Sequence, residues 1–323
     1  MTIREVSIGD IVSEDNGFDI RKSVFIRDDY PPNLKHAVRK LGIISPVTLF
    51  RNSEGILHLI DGRKRLEILR EAGKAVVQAR ILPEDTPLEE VVNLIFLERR
   101  GDILSSVMNG AGFIHFATTV KIPDEWIFEN LCMPLGFRPH RSFLQEVERI
   151  ACLPGELRRF CHEKRYSLKQ VLNLATYPSE ILERIMAWKN EIQLSASTLD
   201  EIASNLKDYL RASGMSLDEF LAAAEIKEIF SSRMASRGRT EALRAFLRKK
   251  RFPTLTRVNG RIEETVAGLS LPEGVVIGWD RTLENRELRI TVTIRRPEEW
   301  EELSGYLRSD VIKCAVHEIL NEL

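Results

Sequence analysis

In the run Asp61-Gly62-Arg63-Lys64-Arg65, three cations follow a glycine at the point where the apolar stretch ILHLI gives way to helical spacing. A glycine at such a junction lets a ligand approach the backbone closely, and the unpaired N–H groups of a helix start favour an anion. Cations in a first helical turn oppose the helix dipole, so three in succession call for a counter-charge. A phosphate would supply one. A solvated basic turn accounts for the same residues without a ligand.

A second group of cations comes later in the chain. Arg138, His140, Arg141 and Ser142 precede an amphipathic stretch that carries Arg149, and Arg158, Arg159, Lys164, Arg165 and Lys169 follow within two further helical patterns. Cations ahead of a helix that follows a turn can reach base edges and phosphates in a DNA groove, and the later ones can hold the backbone without reading sequence. An ordinary helical bundle with solvated charged faces is the competing reading.

These residues need elements to position them. In residues 1–105, Pro46–Phe50, Ile56–Ile60 and Ala75–Leu82 read as strands, the first two joined by a polar turn at Asn52–Gly55. Helical spacing appears at Leu34, Ala37, Val38 and Leu41, at Leu66, Leu69 and Ala72, and around Val91–Leu97, which makes this block α/β. From Pro123 to Phe230 the strand signal disappears, with Pro154 and Pro178 as first-turn prolines and Ser197 and Ser216 as N-caps, so residues 106–232 read as an all-α module. Arg233–Arg251 carries eight basic residues against Glu241 alone, a pattern of a linker that becomes helical from Thr240. Beyond it, Leu288, Ile290, Val292 and Ile294 alternate with polar residues as a half-buried strand does, a helix opens at Pro297, and a last helix carries the stripe Val311, Ala315, Ile319 and Leu320. Residues 233–323 thus read as a basic linker and a small α+β domain. The stripe packs on its own strand or forms a dimer contact.

Composition narrows the classes. At 323 residues the chain is long enough for several cores, and 47 Lys and Arg against 48 Asp and Glu leave a net charge of −1, so any nucleic-acid surface must be local. The cysteines, Cys132, Cys152, Cys161 and Cys314, have neither CxxC nor His at ligand spacing, which argues against disulfides and zinc, and nothing suggests haem. Charges fill the N-terminus where a signal peptide would be apolar, and no apolar run approaches a membrane span of roughly 18 residues, so a cytoplasmic location without membrane association is expected.

The order GIISPV, a strand, then DGRKRLEILREAG resembles the ParB and sulfiredoxin-like fold, where a G-x-x-x-P turn precedes a G-E-R-R-type box that binds nucleotide phosphates. Downstream, LGFRPHRSFLQEVERIACLPGELRRFCHEKRYSLKQVLNLA resembles the ParB helix-turn-helix and the helices after it. The resemblance covers about residues 20–190 and implies an α+β multidomain protein: an N-terminal nucleotide module, a helix-turn-helix DNA module and a C-terminal domain. It implies CTP or a related nucleotide with Mg as ligand, and DNA, a second copy of the chain and a partition ATPase as partners. A nucleoid-associated place in chromosome or plasmid partition, or in transcriptional control, follows.

Carried over residue by residue, Gly42, Ser45 and Pro46 fall in the first box, Gly62, Arg63, Lys64 and Arg65 in the second, and Glu98 in a third. Two departures stand out. Arg63 occupies a position usually held by Glu, which works against CTP hydrolysis, and Arg99 replaces an Asn that helps hold a metal. For the DNA module, Asp124–Cys132 is the expected first helix, Pro134–Gly136 the turn and His140–Ala151 the recognition helix, with Arg138, His140, Arg141, Ser142, Arg149, Lys164 and Arg165 as contacts. Enzymes on this fold supply an alternative, a small-molecule kinase with Asp61 or Glu98 as base. A sulfiredoxin is excluded because no Cys lies within residues 1–131, and no clustered Asp, Glu and His set suits a two-metal nuclease. A non-enzymatic interaction protein with a degenerate nucleotide site is the third class.

Overall fold

The computed structural model describes residues 2–14, 16–26, 34–41 and 45–323. Its first elements are β1 (Thr2–Ser7), β2 (Ile11–Val12), α1 (Leu34–Leu41), β3 (Val47–Arg51), β4 (Leu57–Asp61), α2 (Arg63–Glu71) and β5 (Val76–Ile81). The strands form one mixed sheet in the order β1-β5-β3-β4-β2. β1 pairs antiparallel with β5 and β3 with β4, whereas β5 runs parallel to β3 and β2 parallel to β4.

The three strands expected from the sequence lie at the centre of this sheet. β3 is buried along almost its whole length, as a central strand covered on both faces must be. The turn between β3 and β4 is organised by Asn52, whose Oδ1 accepts hydrogen bonds from the Glu54 and Ile56 amides. Leu66, Ile68 and Leu69 of α2 pack with Val47, Leu49, Leu59, Val77 and Ala79. The outer strands were not expected, for a physical reason: β2 has two residues, and β1 leaves Ile3 exposed and only Val6 packed against the core, so neither has a buried face to write into its sequence.

Helices follow: α3 (Leu88–Ile103), α4 (Val107–Thr119), α5 (Asp124–Ile127) continued by a π-helical turn at Phe128–Cys132, α6 (Phe143–Ala151), α7 (Gly155–Glu163), α8 (Leu168–Leu174) and α9 (Ser179–Ala187). Pro154 and Pro178 sit at the N-cap positions of α7 and α9, one residue ahead of the first turn. α10 (Ala196–Ser213) starts before Ser197; its cap is Ser195, whose Oγ accepts the Thr198 amide at 3.1 Å. Ser216 caps α11 (Leu217–Ala222) as expected, in a reciprocal capping box with Glu219. The rest comprises α12 (Ala224–Ser231), α13 (Ser236–Arg251), α14 (Pro253–Ala267), β6 (Val275–Trp279), β7 (Leu288–Val292), α15 (Glu299–Leu307) and α16 (Asp310–Glu322).

The chain divides into two units, residues 1–188 with 195–200, and residues 189–194 with 201–323. Most of α10, with α11 and α12, belongs to the second of these units. Electrostatics explains this. The basic segment is the helix α13 from Ser236 onward instead of a linker, and its cations meet acids of α10: Glu201 binds Arg244 at 2.7 Å and Arg248 at 2.6 Å, and Asp208 binds Arg251.

In the same unit β6 and β7 form an antiparallel pair from Val275↔Val292 to Trp279↔Leu288, and α16 packs against α14 and β7. Of the apolar stripe on α16, Ala315 and Ile319 are buried while Val311 and Leu320 stand exposed. Ile294 lies beyond β7 and is exposed, and the helix expected at Pro297 begins at Glu299. Among the described residues, no helix is long and apolar enough to cross a membrane.

Candidate functional site

Gly62 is the N-cap of α2, with φ +100° and ψ 18°, and no side chain caps the helix there. An added Cβ would lie 2.8 Å from Val47 Cγ1, so both the backbone conformation and the close approach of β3 require glycine. The junction is built as the sequence suggested. Its cations, however, do not face an open anion site.

Arg63 donates to Asp19 Oδ2 at 2.9 Å and to the Ser13 carbonyl oxygen. Arg65 donates to Asp61 Oδ2 at 2.6 Å, and to the carbonyl oxygens of Ser45 and Pro46 at 2.6 and 3.0 Å. Arg99 donates to Asp61 Oδ1 at 2.6 Å. The counter-charge demanded by the first turn of α2 is thus supplied from within the chain, by Asp19 and Asp61. Lys64 is half-buried in the same turn.

Asp19 shows the balance of forces. Burial pushes its carboxyl up, but hydrogen bonds from Arg21 and the charges of Arg63 and Arg21 outweigh this and hold it below the usual carboxylate range. Asp61 carries a guanidinium on each oxygen, and these contacts compete with its use as a proton-abstracting base. Glu98, the other base considered for a kinase, is exposed.

Asn16, Asp19, Arg21, Asp61, Arg63 and Arg99 line a cavity of about 50 Å³. Small-molecule pockets run to roughly 300–1,000 Å³. A nucleotide therefore enters only if the ion pairs part and the cavity opens. Gly42 lies outside the described residues. Of the other expected ligands, Gly62 and Arg63 line the cavity, while Ser45 and Pro46 are joined to Asp61 through Arg65, which binds their carbonyl oxygens.

The third box contributes Arg99 in place of Glu98. Arg99 has non-helical backbone angles, φ −112° and ψ 15°, within α3, and this kink accompanies its ion pair with Asp61. A guanidinium on Asp61 does not fit a divalent cation at that carboxylate. Among the described residues, no group of three or more His, Cys, Asp and Glu is placed to hold a metal. Asp19 and Asn16, which complete the cavity, were missed in the sequence because they come from an irregular segment more than forty residues from Gly62. No local pattern marks them.

In the helical part of the same unit, α4 is the central element, packed against α6 and α7. Arg138, His140, Arg141 and Ser142 lie on the exposed loop that leads into α6, which starts at Phe143, three residues later than expected. Phe143, Val147 and Ile150 bury the inner face of α6 and leave Arg149 outward. Glu146 approaches His140 Nε2 at 3.3 Å and Arg149 at 4.0 Å. Lys164 and Arg165 are exposed at the end of α7, where Arg165 adopts φ +52°. The loop cations and α7 cations are therefore presented at the surface as separate groups.

No protein-family profile matches the chain, and no curated protein sequence does. It is similar to solved structures of ParB proteins. One is the C-terminally truncated ParB of Caulobacter crescentus complexed with CTP-γ-S, at 16% identity and TM-score 0.26, covering 58% of this chain and 99% of that one. Another is the same protein complexed to the centromeric parS site, at 15% identity and TM-score 0.30, covering 62% and 98%. A third is the pNOB8-like ParB N-domain, at 19% identity and TM-score 0.35, covering 77% and 91%.

Proposed function

We propose that this chain is a ParB-like DNA-binding protein of partition or transcriptional control, in which an anion at the Gly62 junction biases a helix-turn-helix module. The supporting observation is the exposed run Arg138, His140, Arg141 and Ser142 directly ahead of α6. Such a run meets a DNA groove with the residues that a recognition helix presents first. Arg149, Lys164 and Arg165 add backbone contacts. Partition also implies a second copy of the chain and an ATPase partner.

The nucleotide reading takes a restricted form. CTP or a related nucleotide would bind by replacing Asp19 and Asp61 on Arg63, Arg65 and Arg99, with Lys64 beside them. Such a ligand shifts an existing equilibrium between paired and opened arrangements. Hydrolysis is not part of the reading, since Asp61 is ion-paired and Arg63 stands where the resemblance implies Glu.

The decisive experiment is binding to genomic DNA fragments as a function of salt. Arg141→Ala with Arg165→Ala should weaken binding and reduce the slope of log K against log salt by about two contacts' worth, roughly 0.9 for each. An unchanged slope would remove the helix-turn-helix assignment. Equilibrium binding of CTP and ATP, with and without magnesium and DNA, tests the nucleotide half. Binding that needs no magnesium is expected.

A further inference from the structure

α6 buries Phe143, Val147 and Ile150 and turns its opposite side to solvent. At about 100° per residue, Gln145 and Arg149 fall near the middle of that open side, one turn apart, with Glu146 to one side of them and Glu148 to the other. Both acids are engaged from outside the helix: Glu146 lies 3.3 Å from His140 Nε2, and Glu148 lies 3.0 Å from His115 Nδ1 on α4. Gln145 is exposed, and among the described residues no hydrogen bond holds its amide.

The helix that carries it rests on a fixed platform. α6 packs on α4, and the Phe137 ring ties the preceding loop to Phe143, with centroids 5.4 Å apart. α4 is held in turn by the segment around Phe25. The Phe25 amide donates to Asn109 Oδ1 at 2.8 Å, and Asn109 Nδ2 donates back to the Phe25 carbonyl oxygen at 2.8 Å. Asn109 is fully buried, so this reciprocal pair satisfies a polar side chain inside the fold. A Cβ on Gly112 would lie 1.9 Å from the Ser23 carbonyl oxygen, so the segment sits directly on the helix backbone. A side chain presented from packed helices is held more closely to one geometry than one presented from a loop.

We propose that Gln145 is the residue of α6 that reads sequence, and that it selects adenine in the major groove. Carboxylates on either side of it disfavour a phosphate at the same place, whereas a base edge carries no net charge. A carboxamide offers an acceptor oxygen and a donor nitrogen together, and the adenine edge offers the matching N6 donor and N7 acceptor. Guanine presents two acceptors there, thymine an acceptor and a methyl group, and cytosine a donor, so none of them satisfies both atoms of the amide. The inference rests on the DNA-binding reading above and names what that surface distinguishes.

The test selects duplexes from a randomised pool with the full chain and reads the base enriched at each position. The unaltered protein should enrich an adenine that Gln145→Ala no longer selects, and the variant's affinity for the selected duplex should fall by roughly 5- to 150-fold, the range for one bidentate pair. The slope of log K against log salt should not move, because an uncharged side chain releases no counterion. Gln145→Arg should change the preference at that same position from adenine to guanine, whose N7 and O6 accept both donors of a guanidinium. Neither variant removes a packed or hydrogen-bonded group, so both should melt with the unaltered protein.

An adenine preference that survives Gln145→Ala would overturn the assignment, as would a Gln145→Arg variant that keeps adenine. So would an unaltered protein that binds duplexes in a salt-dependent way and enriches no adenine. In each case DNA binding would stand. Absence of salt-dependent DNA binding by the unaltered protein would instead remove both the function and the role of Gln145.

Discussion

Arg63 decides what the Gly62 junction can do, because its partners are already chosen. Replacing it by Glu would set a carboxylate beside Asp19, at a position only 18% exposed. The variant should lose about 1–3 kcal/mol of stability, read from urea midpoints, and should gain no hydrolysis. Asp19 carries its own pH signature. Its depressed folded-state carboxyl contributes stability that is present above the unfolded value, about 4, and is lost as pH falls through the folded one. Asp19→Asn should therefore be the less stable protein at pH 7, with the difference shrinking at pH 3. Gly62→Ala should cost about 1–3 kcal/mol, through the left-handed backbone and the contact with Val47. The sequence made the charge problem at this junction legible, three cations needing an anion. It could not disclose the solution, because Asp19 and Arg99 reach the site across the fold and neither stands in a pattern.

At the scale of elements, legibility followed the exposure of one face. β3, β4 and β5 wrote their period into the sequence and lie within a residue or two of the expected ranges, whereas α3 and α6, also periodic, have ends three or more residues from those expected. α4 wrote no period. Nearly every residue from Met108 to Ala117 is buried, so no polar face marks the period, and Gly110 and Gly112 look like breaks in a helix. Both glycines are instead points of close approach: a Cβ on Gly110 would meet the Phe137 ring at 3.0 Å, behind the loop that carries Arg138. Gly112→Ala should therefore expel Ser23 from its seat. The expected result is a melting temperature lower by several degrees and faster hydrogen exchange at the Phe25 amide. Exchange unchanged at that amide would show that the segment docks without the glycine.

For the molecule as a whole, the division near residues 189–200 makes a fragment prediction. Residues 189–323 keep Glu191, Gln193, Glu201 and Asp208, the partners of Arg239, Thr240, Arg244, Arg248 and Arg251. A fragment beginning at 233 strips α13 of all of them. The longer fragment should unfold in a single cooperative transition and the shorter one should show none, by circular dichroism on heating. Composition had marked Arg233–Arg251 as a boundary because cations are dense there. The acids that neutralise them lie a helix earlier, and a local charge count does not see them. The seat of Phe25 on Asn109 also has a consequence for synthesis. The two residues are 84 positions apart, so a ribosome adding about 5–20 residues per second leaves the early segment without its dock for roughly 4–17 seconds. Throughout that interval the sheet is emerging with one of its flanking segments unanchored, and a chaperone that shields it has that window in which to act.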